Sequence, residues 1–330
     1  MVQLLSVFQI IVPTPYAVGP VNVYLIKSDP LTLIDAGPNN AKAAKVLEGM
    51  LTSLGINVKD IKRVVITHAH PDHSGLASDI ARKSGATVLI HPWELKKMDK
   101  AADLMMERLP YAIEAGVPQT VIAEMYGERD KLPRPNVDNC KVEELTDDDK
   151  IEFAGGQLQV LHLPGHSPGH TCLYDPEQKT FFSGDFLLPH ITPNPVIEPD
   201  PENPGKRLPT LKQYLNGLKK VDDLKISMVC PGHGGVFNDY RGAVNVARCH
   251  HDSQFKIILN KLNGKELSSY ELSKEVYPNL HGWDIFLGLS EIQAHLDLLV
   301  EWGSVSFSKK NGVNYYHRDP HAAKVAPSDQ

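Results

Sequence analysis

At 330 residues, 42% hydrophobic and 22% charged, the chain is long enough for one large domain and a small one, and its composition excludes extended disorder. A net charge of −6 argues against a general polyanion-binding surface, leaving room only for a local basic patch, and against nucleic acid as the default partner. Cys140, Cys172, Cys230 and Cys249 lack Cys-x-x-Cys spacing and no run approaches the ~20 apolar residues of a membrane span, so reduced thiols, a cytoplasmic location and no membrane partner are expected.

Phe8 to Val12, Val21 to Ile26 and Leu31 to Ile34 read as short strands separated by Pro and Gly turns, forming an antiparallel ribbon. Asn40 to Leu54 has helical spacing of Ala44, Leu47 and Leu51, with Gly55 as its stop. Arg63 to Thr67 is the next strand, an apolar, β-branched run that ends in His68-Ala69-His70-Pro71-Asp72-His73. A buried strand thus delivers four candidate ligands to its C-terminal end, where open α/β sheets place their chemistry. His68 and His70 are two apart, so extended backbone projects both rings to one side. Pro71 forces a turn, and Asp72 and His73 can face a second point. One metal ion could not easily use all four; two could. A helix after Gly75 to about Lys83 and a strand from Thr87 to His91 follow, with a right-handed crossover.

Residues 92–135 differ in character: helical stretches rich in Met and aromatic residues are broken by Pro110 and Gly116-Val117-Pro118. One reading is an apolar, Met-rich lid over the rim that selects a hydrophobic group. The favoured reading is that most of these residues pack the segment onto the domain, since apolar helical spacing is usually core. Two hairpins are then expected, Lys150 to Phe153 with Gln157 to Leu161, and Thr171 to Tyr174 with Thr180 to Ser183. Three further strand ends carry ligand types. Leu158 to Leu163 runs into Pro164-Gly165-His166-Ser167-Pro168-Gly169-His170, Thr180 to Ser183 into Gly184-Asp185, and Ile226 to Cys230 into Pro231-Gly232-His233. Phe186 to Pro209 is Pro-rich, carries His190 and is expected to border the site.

Helices at Leu211 to Leu218 and Tyr240 to Gln254 flank the His233 strand. From about Phe255 a compact unit is expected. Its helices are Lys256 to Leu262, a second capped by Ser268 and Glu271 that runs to Val276, and a third capped by Ser290-Glu291-Ile292-Gln293 that runs to Trp302. A hairpin around Asn311-Gly312 closes it.

The His-x-His-x-Asp-His run, followed by His166, Asp185 and His233 in Gly- and Pro-flanked strand ends, resembles the metallo-β-lactamase superfamily, most of all its glyoxalase II-type and lactonase-type hydrolases. The resemblance spans about residues 7 to 240. It implies an α/β fold, the αββα sandwich, over 1–250 with 92–135 as a helical insertion or lid. The last part, 251–330, resembles a small α+β winged helix. It also implies two ions, with His68, His70 and His166 at the first, Asp72, His73 and His233 at the second, and Asp185 bridging them. Two zinc ions are favoured, with iron or manganese as alternatives. Asp72 is the catalytic candidate, relaying a proton to the leaving group, while a hydroxide held between the ions is the implied nucleophile. His170 is expected in the outer shell. His190 and His91 could orient substrate but weigh equally as ordinary loop structure, and His250-His251 fit no constellation.

The expected function is hydrolysis of a small-molecule ester, lactone or thioester, with an apolar acyl group suggested by the insertion. The runner-up is a metal-dependent phosphodiesterase or endoribonuclease, since two metals suit phosphoryl chemistry equally well. A mononuclear iron persulfide dioxygenase is less favoured because relatives of that type leave the second site empty. A nucleic-acid-binding regulator is least favoured: Glu291, Asp297 and Glu301 make the third C-terminal helix acidic, with no Lys or Arg between Ser290 and Trp302. Packing, homodimerisation or support of a lid is preferred for that unit.

Overall fold

The computed structural model describes residues 4–99, 103–129 and 134–319, with backbone alone at 126–129. The strands are β1 (Val7–Val12), β2 (Val21–Ile26), β3 (Thr32–Ile34), β4 (Arg63–Ile66), β5 (Thr87–Ile90), β6 (Lys141–Glu144), β7 (Lys150–Phe153), β8 (Gly156–His162), β9 (Thr171–Asp175), β10 (Thr180–Gly184), β11 (Met228–Pro231), β12 (Glu266–Ser268), β13 (Val305–Lys310) and β14 (Val313–Arg318). The helices are α1 (Ala41–Ser53), α2 (Pro71–Ser74), α3 (Ala77–Ser84), α4 (Pro92–Lys97), α5 (Leu104–Glu114), α6 (Gln119–Arg129), α7 (Thr210–Asp222), α8 (Tyr240–Lys261), α9 (Ser269–Val276) and α10 (Trp283–Glu301). Among the described residues no helix is long and apolar enough to cross a membrane, and all four cysteines are free thiols.

The chain divides into two compact units. The first comprises Met1–Ala102, Leu132–Pro193 and Lys219–Ala243, the second Asp103–Lys131, Asn194–Leu218 and Val244–Gln330. In the first unit β1 to β6 form one sheet in sequence order, antiparallel through β3 and parallel from β3 to β6. A second sheet has the order β11-β10-β9-β8-β7, with only β10 and β11 parallel. Period-two alternation decides how they pack. Tyr24, Ile26, Ile34, Val65 and Leu89 face Leu158, Val160, Leu173 and Phe182 of the second sheet in one core. Val23, Leu25, Leu33, Val64, Ile66 and Val88 point the other way, onto Leu47 and Leu51 of α1 and Ile80 of α3. Both faces of these strands are therefore buried, which is why they read as unbroken apolar runs.

The second unit has its own core, in which Tyr111, Ala112, Val117, Ile122 and Met125 of the helical segment pack with Phe286 and Leu289 of α10 and with Val196 and Ile197. A buried ion pair, Arg108 Nη2 to Glu198 Oε1 at 2.6 Å, accompanies it. Strands β12, β14 and β13 form a three-stranded antiparallel sheet beside α9 and α10.

Several sequence expectations change. The expected division at residue 250 is not the one observed: most of 92–135, and residues 194–218, cluster with the C-terminal part, whose core Tyr111, Ile122, Val196 and Ile197 share. Of the described helices in that segment, α4 alone belongs to the first unit. This favours packing over a ligand-selecting lid for Tyr111, Val117, Ile122 and Met125. β6 escapes sequence reading because its pattern is mostly exposed and polar. α8 is one continuous helix, not two. α10 starts at Trp283 after Gly282, so Ser290, Glu291 and Gln293 lie buried in its interior and cap nothing. Asp297 is paired with Arg207 at 2.7 Å, so the helix presents less free acid than its sequence suggests. The capping box of Ser268 and Glu271 is present as expected.

Candidate metal centre

β4 ends at Ile66, Thr67 turns, His68 follows, and His70 has extended backbone. Pro71 occupies the first position of α2, a short helix that its fixed φ favours, and this turn carries Asp72 and His73 away from the strand direction. His166 comes from the loop after β8, Asp185 from the end of β10, and His233 from the loop after β11, all within the first unit.

Their donor atoms converge in two triads. His68 Nε2 and His166 Nε2 each lie 3.0 Å from His70 Nδ1. His233 Nε2 lies 3.3 Å from both His73 Nε2 and Asp72 Oδ2. Asp185 stands between the triads: Oδ2 is 3.6 Å from His166 Nε2, 4.0 Å from His68 Nε2 and 3.7 Å from His233 Nε2, and Oδ1 is 3.3 Å from His73 Nε2. Tetrahedral zinc with bonds of about 2.0–2.1 Å separates neighbouring nitrogens by roughly 3.3 Å, so these spacings suit ligands around ions.

Hydrogen bonds set the imidazole tautomers. His73 Nδ1–H donates to Asp35 Oδ2 at 2.7 Å, and His233 Nδ1–H donates to the Pro20 carbonyl at 2.8 Å. Thr67 Oγ1 donates to Asp35 and can accept from His68 Nδ1–H at 3.1 Å. In each ring the proton on Nδ1 makes Nε2 the nitrogen that faces the other ligands, the one a metal would take. Asp185 Oδ1 is buried without a hydrogen bond, although an oxygen of this kind ordinarily has one. Gly232 makes room for it, because a Cβ there would stand 2.3 Å from Asp185 Oδ1. The donor set and the orphaned oxygen both fit metal.

Burial, reinforced by the surrounding imidazoles, pushes His68, His70 and His170 well below the ordinary histidine range, so these rings are neutral. Burial opposes charge on His73 too, but Asp185, Asp35 and Asp72 outweigh it and raise His73 well above that range. Burial likewise opposes ionisation of Asp185, yet His73, His233 and His166 hold it ionised. In the metal-free chain His73 therefore keeps a proton on Nε2 that an ion must displace. Metal affinity is expected to fall as pH drops below neutrality, and zinc added at pH 7 in weak buffer should release protons. A titration with no proton release would contradict this.

Sequence reading missed two carboxylates that hold this arrangement. Asp35, at φ +60 after β3, accepts from Thr67 N at 2.9 Å as well as from His73. Its signal is a carboxylate that directly follows the strand beside β4. Asp35→Asn is expected to weaken metal binding at the His73 triad by about 10–100-fold, read by competition with a chromophoric chelator. Glu94 of α4 is fully buried; Oε2 accepts from Ala69 N at 2.8 Å, and Oε1 accepts from Gly169 N at 2.8 Å and from Ser167 Oγ. It thus ties the His68–His70 segment to the His166 loop.

His170 joins neither triad, and its Nε2 accepts from Asp185 N at 3.1 Å. His91 instead caps α4, accepting from Trp93 N at 3.2 Å, and stacks on His162 at 4.3 Å, so its ring is occupied by structure. His190 is exposed and joins none of these triads. Of the Pro-rich stretch, Pro189 does border the His233 loop, packing where a Cβ on Gly234 would stand, whereas residues from Asn194 belong to the second unit.

The chain matches the family model described as metallo-beta-lactamase superfamily over residues 16–233. It is 32% identical over 320 residues to the probable metallo-hydrolase YqjP of Bacillus subtilis (strain 168), covering 94% of this chain and 97% of that one. It is 22% identical to an atrochrysone carboxyl ACP thioesterase of Claviceps purpurea (strain 20.1), over 80% of this chain and 69% of that one. Among solved structures, a metallo-beta-lactamase family protein from Thermus thermophilus superposes with a TM-score of 0.81 at 27% identity, covering 95% of this chain and 98% of that one.

Proposed function

The chain belongs to the metallo-β-lactamase superfamily, and we propose that it is a dinuclear metal-dependent hydrolase that cleaves a small ester, lactone or thioester. The observation that carries the reading is the assembly of His68, His70 and His166 on one side of buried Asp185 and of Asp72, His73 and His233 on the other. The nitrogen-rich set favours zinc and would also accept iron or manganese. Ions held there would polarise a carbonyl oxygen and bring the pKa of bound water towards neutrality.

The chain's own groups supply the rest. His170 and the space at Gly232 fix the Asp185 carboxylate between the triads. Asp72, whose Oδ2 lies 3.3 Å from His233 Nε2, would pass a proton to a departing alkoxide or thiolate. Burial and the Asp72 carboxylate push the Tyr16 hydroxyl up to about 12, which keeps it a neutral hydrogen-bond donor. The relative named as a thioesterase supports the thioester member of the substrate class. Tyr111, Val117, Ile122 and Met125 are occupied in the core of the second unit, so the acyl preference is a matter for a chain-length series.

The test pairs metal content with hydrolysis of an acyl-lactone, a thioester and bis-p-nitrophenyl phosphate at two salt concentrations. Two equivalents of metal with salt-insensitive lactone or thioester turnover are expected, since a nucleic-acid enzyme would lose affinity steeply with salt. Cleavage of the phosphodiester alone, or a single iron, would overturn the assignment. Asp72→Asn separates ligation from proton transfer: turnover should fall about 100-fold or more with the metals largely retained, and unchanged turnover would remove Asp72 from catalysis.

A further inference from the structure

Outside that centre, the second unit brings together a histidine cluster that sequence spacing leaves unexplained. His250 and His251 lie on α8, Glu291 and His295 on α10. His250 Nε2 is 3.2 Å and His251 Nδ1 4.0 Å from the same oxygen, Glu291 Oε1, and the three donor atoms lie within 4.8 Å of one another. His295 Nε2 is 3.1 Å from His251 Nδ1. The His251 and His295 side chains are 1% and 0% exposed, Glu291 is 9% exposed, and His250 at 35% leaves one edge open to solvent.

Hydrogen bonding shows what this pocket lacks. His295 Nδ1–H donates to the Glu291 carbonyl at 2.6 Å, so its Nε2 presents a lone pair to His251. His251 Nε2, across its own ring, is buried without a hydrogen bond. That ring packs edge-to-face with Tyr214 at 5.5 Å, an environment that suits an N–H better than a lone pair. In the metal-free chain His251 Nδ1–H donates to His295 Nε2 at 3.1 Å, and a cation beside the Glu291 carboxylate would displace that proton to Nε2, the ring nitrogen that has no partner to lose. Asn194 Nδ2 donates to Glu291 Oε2 at 3.4 Å, so the outer oxygen of the carboxylate is held and Oε1 is aimed inward.

We propose that His250, His251 and Glu291 form a structural site for a divalent ion of the zinc type that clamps α8 to α10. The 3.2 Å separation of His250 Nε2 from Glu291 Oε1 matches neighbouring ligands of tetrahedral zinc, roughly 3.3 Å apart, and the 4.0 Å pair would close by about 0.7 Å. His251 and Glu291 are buried and the three ligands come from two helices, so the ion cross-links them, with the fourth position left to water at the His250 edge. His250 at the exposed edge provides the route of entry.

The experiment titrates metal-free full-length protein with zinc against a chromophoric chelator, in the wild type, in His250→Ala, in Glu291→Gln and in the double variant His68→Ala/His73→Ala. Cobalt(II) serves as a spectroscopic probe of tetrahedral coordination. His250→Ala, at a half-exposed position that leaves the fold intact, is expected to bind one equivalent fewer than the wild type. The double variant should still bind one equivalent, with tetrahedral cobalt bands that disappear when Glu291→Gln is added. Equal stoichiometry in His250→Ala and wild type, or no binding by the double variant, overturns the proposal. Because each arm is a difference from the wild type, the result stands apart from whether the catalytic centre takes one ion or two.

Discussion

Asp185→Asn is expected to abolish turnover, lowering kcat/KM by at least about a thousandfold. An amide cannot present two anionic oxygens to two ions, and metal-centred charge stabilisation is worth several kcal/mol in such sites, at about 1.4 kcal/mol per tenfold. The local consequences are equally specific. Asp185 is the leading group that raises His73, with Asp35 and Asp72 behind it, so its neutralisation removes much of the attraction that keeps His73 protonated in the metal-free chain. The proton release that accompanies zinc binding at pH 7 should then shrink as well as the affinity. Metal analysis and steady-state kinetics on the same preparation check this; an Asp185→Asn protein with two ions and near wild-type turnover would show that the carboxylate does not bridge.

The second large effect falls on stability. Glu94→Ala removes a fully buried carboxylate that accepts from Ala69 N, Gly169 N and Ser167 Oγ and stands 3.7 Å from Lys97 Nζ. Each buried N–H left unsatisfied costs about 1–3 kcal/mol, and breaking a buried charge pair about 3–5 kcal/mol, so a loss of roughly 3–5 kcal/mol is expected from denaturant unfolding of the metal-free protein. Glu94→Gln, which keeps the volume and one acceptor, should lose less. In both variants the first triad should bind metal more weakly, because the His68–His70 segment and the His166 loop are no longer tied to one group, while the His73 triad is anchored separately through Asp35. A change below about 1 kcal/mol on Glu94→Ala would show that the loops hold themselves.

Local pattern carried much of this protein in its sequence. A β-branched strand running into His-x-His-x-Asp-His, and three Gly- or Pro-flanked strand ends bearing His166, Asp185 and His233, announced the family and the residues whose donor atoms converge, because ligand chemistry demands particular residue types at strand ends and leaves them visible. The N-terminal strands and α1 were legible for a related reason: burial on both faces writes continuous apolar runs, and Asn40 marks a helix start. The capping box at Ser268 was legible too, since both partners are three residues apart.

What only the tertiary structure decided depends on groups far apart in the chain. Glu94 reads as an ordinary helical acid until folding buries it between Ala69 and Gly169. His91 looks like a site residue from its strand end, yet His162 and Trp93 claim its ring. Residues 104–125 read as an insertion of the domain they interrupt, but apolar periodicity states only that a face is buried, never against what, and here the partner is α10. His250 and His251 precede Glu291 by about forty residues, and only the packing of α8 beside α10 brings three imidazoles to one carboxylate. Sequence determines what a residue can do; the long-range contacts, which no local propensity encodes, determine which residues do it together.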